Sequence, residues 1–131
     1  MTTDLWCLLI LALWSLPLNH IPALARLSAA ESPVQWGLGN RDTVPLVKPW
    51  VERADRAQRN HHDNLAMIAV VILVAHLTGQ ADGVTAIAAI AVLICRIAHG
   101  ITYIVGLPAL RSFFYAASIA ALGAIVWQIS T

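Results

Sequence analysis

Charge is scarce in this sequence. Only 11% of its 131 residues are Asp, Glu, Lys or Arg, where a soluble domain carries roughly 25%. Hydrophobic residues make up 59% and mean hydropathy is +0.72. Together these exclude a disordered chain and argue against a soluble globular one. A surplus of one sign is missing as well. Eight Lys+Arg against seven Asp+Glu leave a net charge of +1. That is no basic excess for a phosphate backbone, so nucleic-acid binding is not expected. There are two cysteines, Cys7 and Cys95, both inside apolar runs. They form neither a disulfide framework nor a metal cluster. His61 and His62 are adjacent, and neighbours on a helix point about 100° apart, so no metal is expected there. The sequence holds no Ser-His-Asp arrangement, no glycine-rich phosphate loop and no paired-cysteine redox motif. The class left standing is a small membrane protein with several spans.

A spanning helix needs about 20 mostly apolar residues. The first candidate covers about 4–27, is uncharged from Leu5 to Ala25, and contains Pro17 and Pro22. A cleaved signal peptide is the rival reading. The start Met-Thr-Thr-Asp lacks the basic segment such peptides carry, which favours a retained helix. Residues 28–50 read as a loop, with three prolines, two glycines and no apolar period. A second helix is predicted over about 51–78. Its uncharged part, Asn64 to Leu77, is too short to span alone, so the polar segment before it belongs to the same helix. The third helix is predicted over about 84–106 and the fourth over about 108–129, parted by Gly106-Leu107-Pro108. One domain over 1–131, an all-α integral membrane bundle of four transmembrane helices, fits this pattern.

Basic residues set the orientation. Arg26, Arg41, Lys48, Arg53, Arg56, Arg59 and Arg111 fall at one end, and Asp4 and Asp82 at the other. The positive-inside rule puts the long loop in the cytoplasm and both termini outside.

Two polar stripes interrupt the apolar helices. Arg53, Arg56, Asn60 and Asp63 share one face of the second helix at spacings of three and four. A solvated helix end with intrahelical ion pairs would explain them. Yet they run straight into the apolar stretch, where polar groups face a bundle interior or a wet cavity. Arg96, His99 and Tyr103 share a face of the third helix. An arginine inside a span costs about 2.5–3.5 kcal/mol by insertion scales unless it is paired or hydrated. Asp63 is the expected partner; a purely structural bridge is the plainer reading of that pair. Outward on the same face lie Val92, Ala89 and Thr85, small enough for close helix packing. Arg111, at the fourth helix, either snorkels to headgroups or joins the cluster. Such a set suits a small, multiply charged anion. Guanidinium forks bind carboxylates, a carboxylate takes an ammonium, and amides read peptide groups.

At these residues the sequence resembles a known family. Arg56-Ala57-Gln58-Arg59-Asn60-His61-His62-Asp63-Asn64 is similar to the Arg-Ala-x-x-Asn-x-x-Glu signature of the MAPEG family, the membrane-associated proteins of eicosanoid and glutathione metabolism. Arg96-Ile97-Ala98-His99-Gly100-Ile101-Thr102-Tyr103, followed by Gly106-Leu107-Pro108 and Arg111, resembles that family's third-helix pattern. Chain length, four spans and a long first loop also match, and the short loops resemble a bacterial branch, which implies a bacterial inner membrane.

The resemblance implies a homotrimer that binds glutathione as co-substrate between subunits. It places Arg56, Gln58, Asn60 and Asp63, then Arg96, His99 and Tyr103, on glutathione-contacting positions, with Arg26 at the end of the first helix. Arg111 lies close to the arginine that stabilises the thiolate, and Arg96 is the other candidate for that task. The implied activity is a transferase or peroxidase acting on a small lipophilic substrate from the bilayer. A non-catalytic binding or scaffold protein on the same fold is the alternative. A transporter has little support, since no inverted repeat is visible. Three positions depart from the pattern. Asp63 replaces the family's glutamate, Asp55 stands where a basic residue is frequent, and His99 stands where several members have tyrosine.

Overall fold

The computed structural model describes residues 1–131 and is helical throughout. Four long helices, α1 (Thr3–Ala29), α3 (Pro49–Leu77), α4 (Gly83–Val105) and α5 (Pro108–Ser130), run up and down. A short helix, α2 (Pro33–Leu38), interrupts the segment read from sequence as loop. Pro33 begins it, since the ring fixes φ and the first turn needs no N–H donor there. No apolar period marks six residues, which is why the pattern missed it.

Local chemistry explains the boundaries. Proline opens α3 and α5 at the first turn. Asp82 caps α4: its carboxylate accepts from the Val84 and Thr85 amides, while the Thr85 hydroxyl accepts from the Asp82 amide. Gly106 ends α4 at φ +91°, a left-handed conformation that suits glycine. α1 continues through Pro17 and Pro22.

α1, α3 and α4 pack on one another, and α5 lies against α4 and α3. Leu11, Ile68, Ile72, Ala89, Val92 and Ile125 form the centre of the core. Thr85, Ala89 and Val92 are all buried, as the small-residue stripe on α4 requires for close packing. Gly100 is buried on α4 where it faces Trp14 and Leu18 of α1.

The polarity is inverted relative to a soluble bundle. Leu13, Leu16, Ile21, Val70, Ile87, Ile94 and Phe113 are exposed, while Arg96, His61, His99, Thr85 and Ser118 are buried. An apolar exterior of this extent belongs in lipid. Three helices, α1, α4 and α5, are long and apolar enough to cross a membrane. α3 is long enough but charged in its first half, Glu52 to Asp63.

Contacts at the helix ends fix which termini lie together. Asp4 accepts from the Thr85 hydroxyl at 3.3 Å, and Gln128 donates to Asp82 at 2.9 Å. Both chain termini and the α3–α4 turn therefore share one end. The opposite end holds the α1–α3 segment, the α4–α5 turn and the basic residues, where Arg26 forms an ion pair with Asp55.

Candidate functional site

Arg96 is the largest fully buried side chain, 1% exposed in the middle of α4. Its Nη2 donates to both the backbone oxygen and the side-chain oxygen of Asn60, each at 3.1 Å. Its Nε and Nη1 find no partner within the chain. The Tyr115 ring lies 5.9 Å from the guanidinium carbon.

The expected Arg96–Asp63 ion pair is not formed. Asp63 is exposed on α3, and the one ion pair in the chain joins Arg26 to Asp55. Asp63 lies three residues beyond Asn60, rotated about 60° around the helix, so only Asn60 faces α4. Burying a neutral amide also costs less than burying a carboxylate. The intrahelical pairs of Arg56 or Arg59 with Asp63 are likewise absent.

His99 is buried beside Arg96. Its Nδ1 donates to the Arg111 carbonyl at 2.9 Å, which leaves Nε2 with the lone pair and without a partner. The Tyr103 and Tyr115 rings flank it at 5.7 and 5.6 Å between centroids. The Arg111 guanidinium stacks over the Tyr103 ring at 4.6 Å. Arg96, Tyr115, His99, Tyr103 and Arg111 thus form one continuous cluster, and Asn60 attaches it to α3. Tyr115 joins the cluster through the packing of α5 on α4, which ties it to Arg96 and His99.

The remaining sequence-predicted residues lie outside this cluster. Arg56 and Asp63 are exposed, Gln58 is half-buried, and Arg26 is engaged by Asp55. Arg53 departs from its stripe. Its Nε donates to the Ile104 carbonyl at 2.8 Å, which holds the end of α4 against α3. That contact was invisible in the sequence, because 51 residues separate the partners. A cavity of about 250 Å³ opens there between Arg53 and Arg111. The larger concavity, about 720 Å³, is formed by residues of the α1–α3 segment and includes none of the cluster.

An all-helical integral membrane protein with arginine, histidine and tyrosine gathered between the middle of its bundle and its basic end is the class these features define. The model of the MAPEG family matches residues 5–131, and the chain belongs to that family. The family includes glutathione-dependent transferases and peroxidases as well as non-catalytic members. No curated protein and no solved structure matches the chain significantly.

Proposed function

We propose that this protein binds glutathione and activates its thiol for transfer to a lipophilic electrophile or for reduction of a lipid peroxide. One observation carries the reading: the Arg96 guanidinium is buried without any carboxylate, and two of its nitrogens have no partner. A buried charge left alone is costly, so a site of this kind is arranged for an anion that arrives with the ligand.

The donor set fits a tripeptide thiol. Arg56 offers a fork to one of its carboxylates, Arg26 reaches the other by exchanging its ion pair with Asp55, Asp63 takes the ammonium, and Gln58 and Asn60 read the peptide groups. His99 and Tyr103 line the approach to Arg96. The bound tripeptide supplies the nucleophilic sulfur. A free thiol has a pKa of about 8.5, so at neutral pH only a few per cent is ionised. A guanidinium beside it favours the anion. Arg111, at the cytoplasmic mouth, is the residue for that task, and Arg96 is the second candidate.

Arg56, Arg59 and Asp63 are exposed on a helix that runs into apolar surroundings. One subunit leaves them uncovered, which supports a homotrimer with four spans per subunit and the α3 face at the subunit boundary. Native mass spectrometry in mild detergents should show three chains. Monomer alone in several detergents would overturn that assembly. The basic end faces the cytoplasm by the positive-inside rule, and labelling of a cysteine placed at position 41 from either side of intact cells checks it.

Calorimetric titration of the detergent-solubilised protein with glutathione tests the function. Saturable binding, with conjugation of a lipophilic electrophile in a spectrophotometric assay, is the expected result. Binding without turnover on any electrophile or peroxide would favour the scaffold reading, and no binding would reject both.

A further inference from the structure

We propose that the concavity in the α1–α3 segment seats the head group of a phosphatidylethanolamine-type lipid, its phosphate on Arg41 and its primary ammonium on Glu31 and Asp42. The concavity measures about 720 Å³ and begins at Ala29 and Ala30, where α1 ends beyond its apolar stretch.

Its walls carry both signs of charge without pairing them. Arg41, Glu31 and Asp42 all line it, yet the one ion pair in the chain joins Arg26 to Asp55. Arg41 is held instead by Trp36, whose ring centre lies 5.2 Å from the guanidinium carbon. That ring is itself fixed, since its Nε1 donates to the Thr43 carbonyl at 2.6 Å. One long contact, from Nη2 to the Gly37 carbonyl at 3.4 Å, leaves Nε and Nη1 of Arg41 free. Arg41 also has φ +57°, a left-handed conformation that a non-glycine residue adopts at a cost. That cost falls on the residue that offers the fork. A guanidinium and two carboxylates kept apart in one concavity match a ligand that carries both an anion and a cation.

The position selects a lipid over a free zwitterion. Val44 and Leu46, which line the concavity, are 77% and 99% exposed, and Val34 and Leu38 of α2 are exposed as well. Against a leaflet surface these four aliphatic side chains gain the transfer energy that they forgo in water. The segment therefore lies on lipid, and the glycerol and acyl chains of a seated head group run along Val44 and Leu46. The charges select the head group. A primary ammonium donates hydrogen bonds to carboxylates. A quaternary one donates none and needs an open aromatic face, and Arg41 already covers one face of Trp36. Two carboxylates also repel a lipid of net negative charge.

None of these residues belongs to the set proposed for glutathione. The site stands or falls independently of the thiol-transfer reading.

The test uses the full chain in a non-ionic detergent with equimolar phosphatidylethanolamine, phosphatidylcholine and phosphatidylglycerol, read by native mass spectrometry. Phosphatidylethanolamine should be retained at least about tenfold over either other lipid. Arg41→Gly removes the fork and relaxes the backbone, so the chain should fold and retain about tenfold less of that lipid. Glu31→Gln combined with Asp42→Asn should remove the preference over phosphatidylglycerol. Lipid held elsewhere on the apolar surface is common to parent and variants, so the differences report this site. Free phosphoethanolamine should compete at least about tenfold less well than a short-chain phosphatidylethanolamine. Glutathione affinity should hold within about twofold in Arg41→Gly. Equal retention of the three lipids overturns the proposal, as does unchanged selection in either variant. Should Arg41→Gly fail to fold, the carboxylate pair decides alone. Equal competition by free phosphoethanolamine overturns it in favour of a soluble zwitterion. A fall in glutathione affinity without a fall in lipid retention would give the concavity to the tripeptide instead.

Discussion

Arg96→Met should lower glutathione affinity by about 100-fold or more, while the ligand-free protein melts no lower than its parent. The two halves of this expectation have one cause. Arg96 is buried, has no carboxylate partner, and leaves Nε and Nη1 unbonded. Two charge-assisted hydrogen bonds to a ligand are worth about 1.5–3 kcal/mol each, and about 1.4 kcal/mol is tenfold in affinity. Without ligand, the same guanidinium is a desolvated charge offset by the two contacts to Asn60 and by the Tyr115 ring beside it. Replacing such a charge with an apolar chain of similar volume is frequently neutral or stabilising. Had Arg96 been paired with Asp63, the substitution would strand a buried carboxylate and cost about 3–5 kcal/mol. Asp63 is exposed instead, so that penalty does not arise. Thermal unfolding with and without glutathione reads both quantities. An affinity within about twofold of the parent, or a steep fall in ligand-free stability, would make Arg96 a structural residue.

Arg111→Ala should act on turnover, and Arg56→Ala on binding. The Arg111 guanidinium is set over Tyr103, and its backbone carbonyl anchors His99. The substitution removes only the side chain, so the backbone tie to His99 can persist. Loss of a cation beside the thiolate should raise the pKa of the bound thiol by about one unit or more and lower kcat by about 10²-fold. Glutathione affinity should change by only a few-fold, the pattern of an interaction made mainly with the reactive species. Arg56 is exposed and free of ion pairs. Its removal should weaken glutathione binding about tenfold or more and leave the thiol's titration in place. Thiolate absorbance followed against pH for both variants separates the roles. An Arg111→Ala titration that overlays the parent's would assign thiol activation to Arg96.

The different surroundings of Arg53 and Arg56 follow from helix geometry. The two share a face of α3 in sequence, yet Arg53 reaches the end of α4 while Arg56 stays exposed. The charged end of α3 is packed against α1 and the end of α4, with Val51, Ala54 and Ala57 buried, so a rotation of about 60° around its axis decides whether a side chain meets a neighbouring helix or solvent.

Composition and apolar runs were enough to determine a helical membrane protein, because a bilayer admits few solutions and each span must satisfy its own backbone. The asymmetry of the basic residues identified the two ends, and spacing alone put Arg96, His99 and Tyr103 on one face of α4. The family signature was also legible there, because it lies in short local segments. What sequence could not decide were contacts between helices. It paired Arg96 with the only carboxylate of the stripe, by charge, whereas the tertiary packing turned Asn60 toward α4 and left Asp63 outside. It left Arg53 in a stripe, whereas packing of α3 against the α4–α5 turn gave that residue the Ile104 carbonyl and a cavity shared with Arg111. It also missed α2, which is too short to show a period. Periodicity fixes the angle of a side chain about its own helix. The rotation and axial offset between helices depend on side chains dozens of residues apart meeting at once, and only the folded chain sets those.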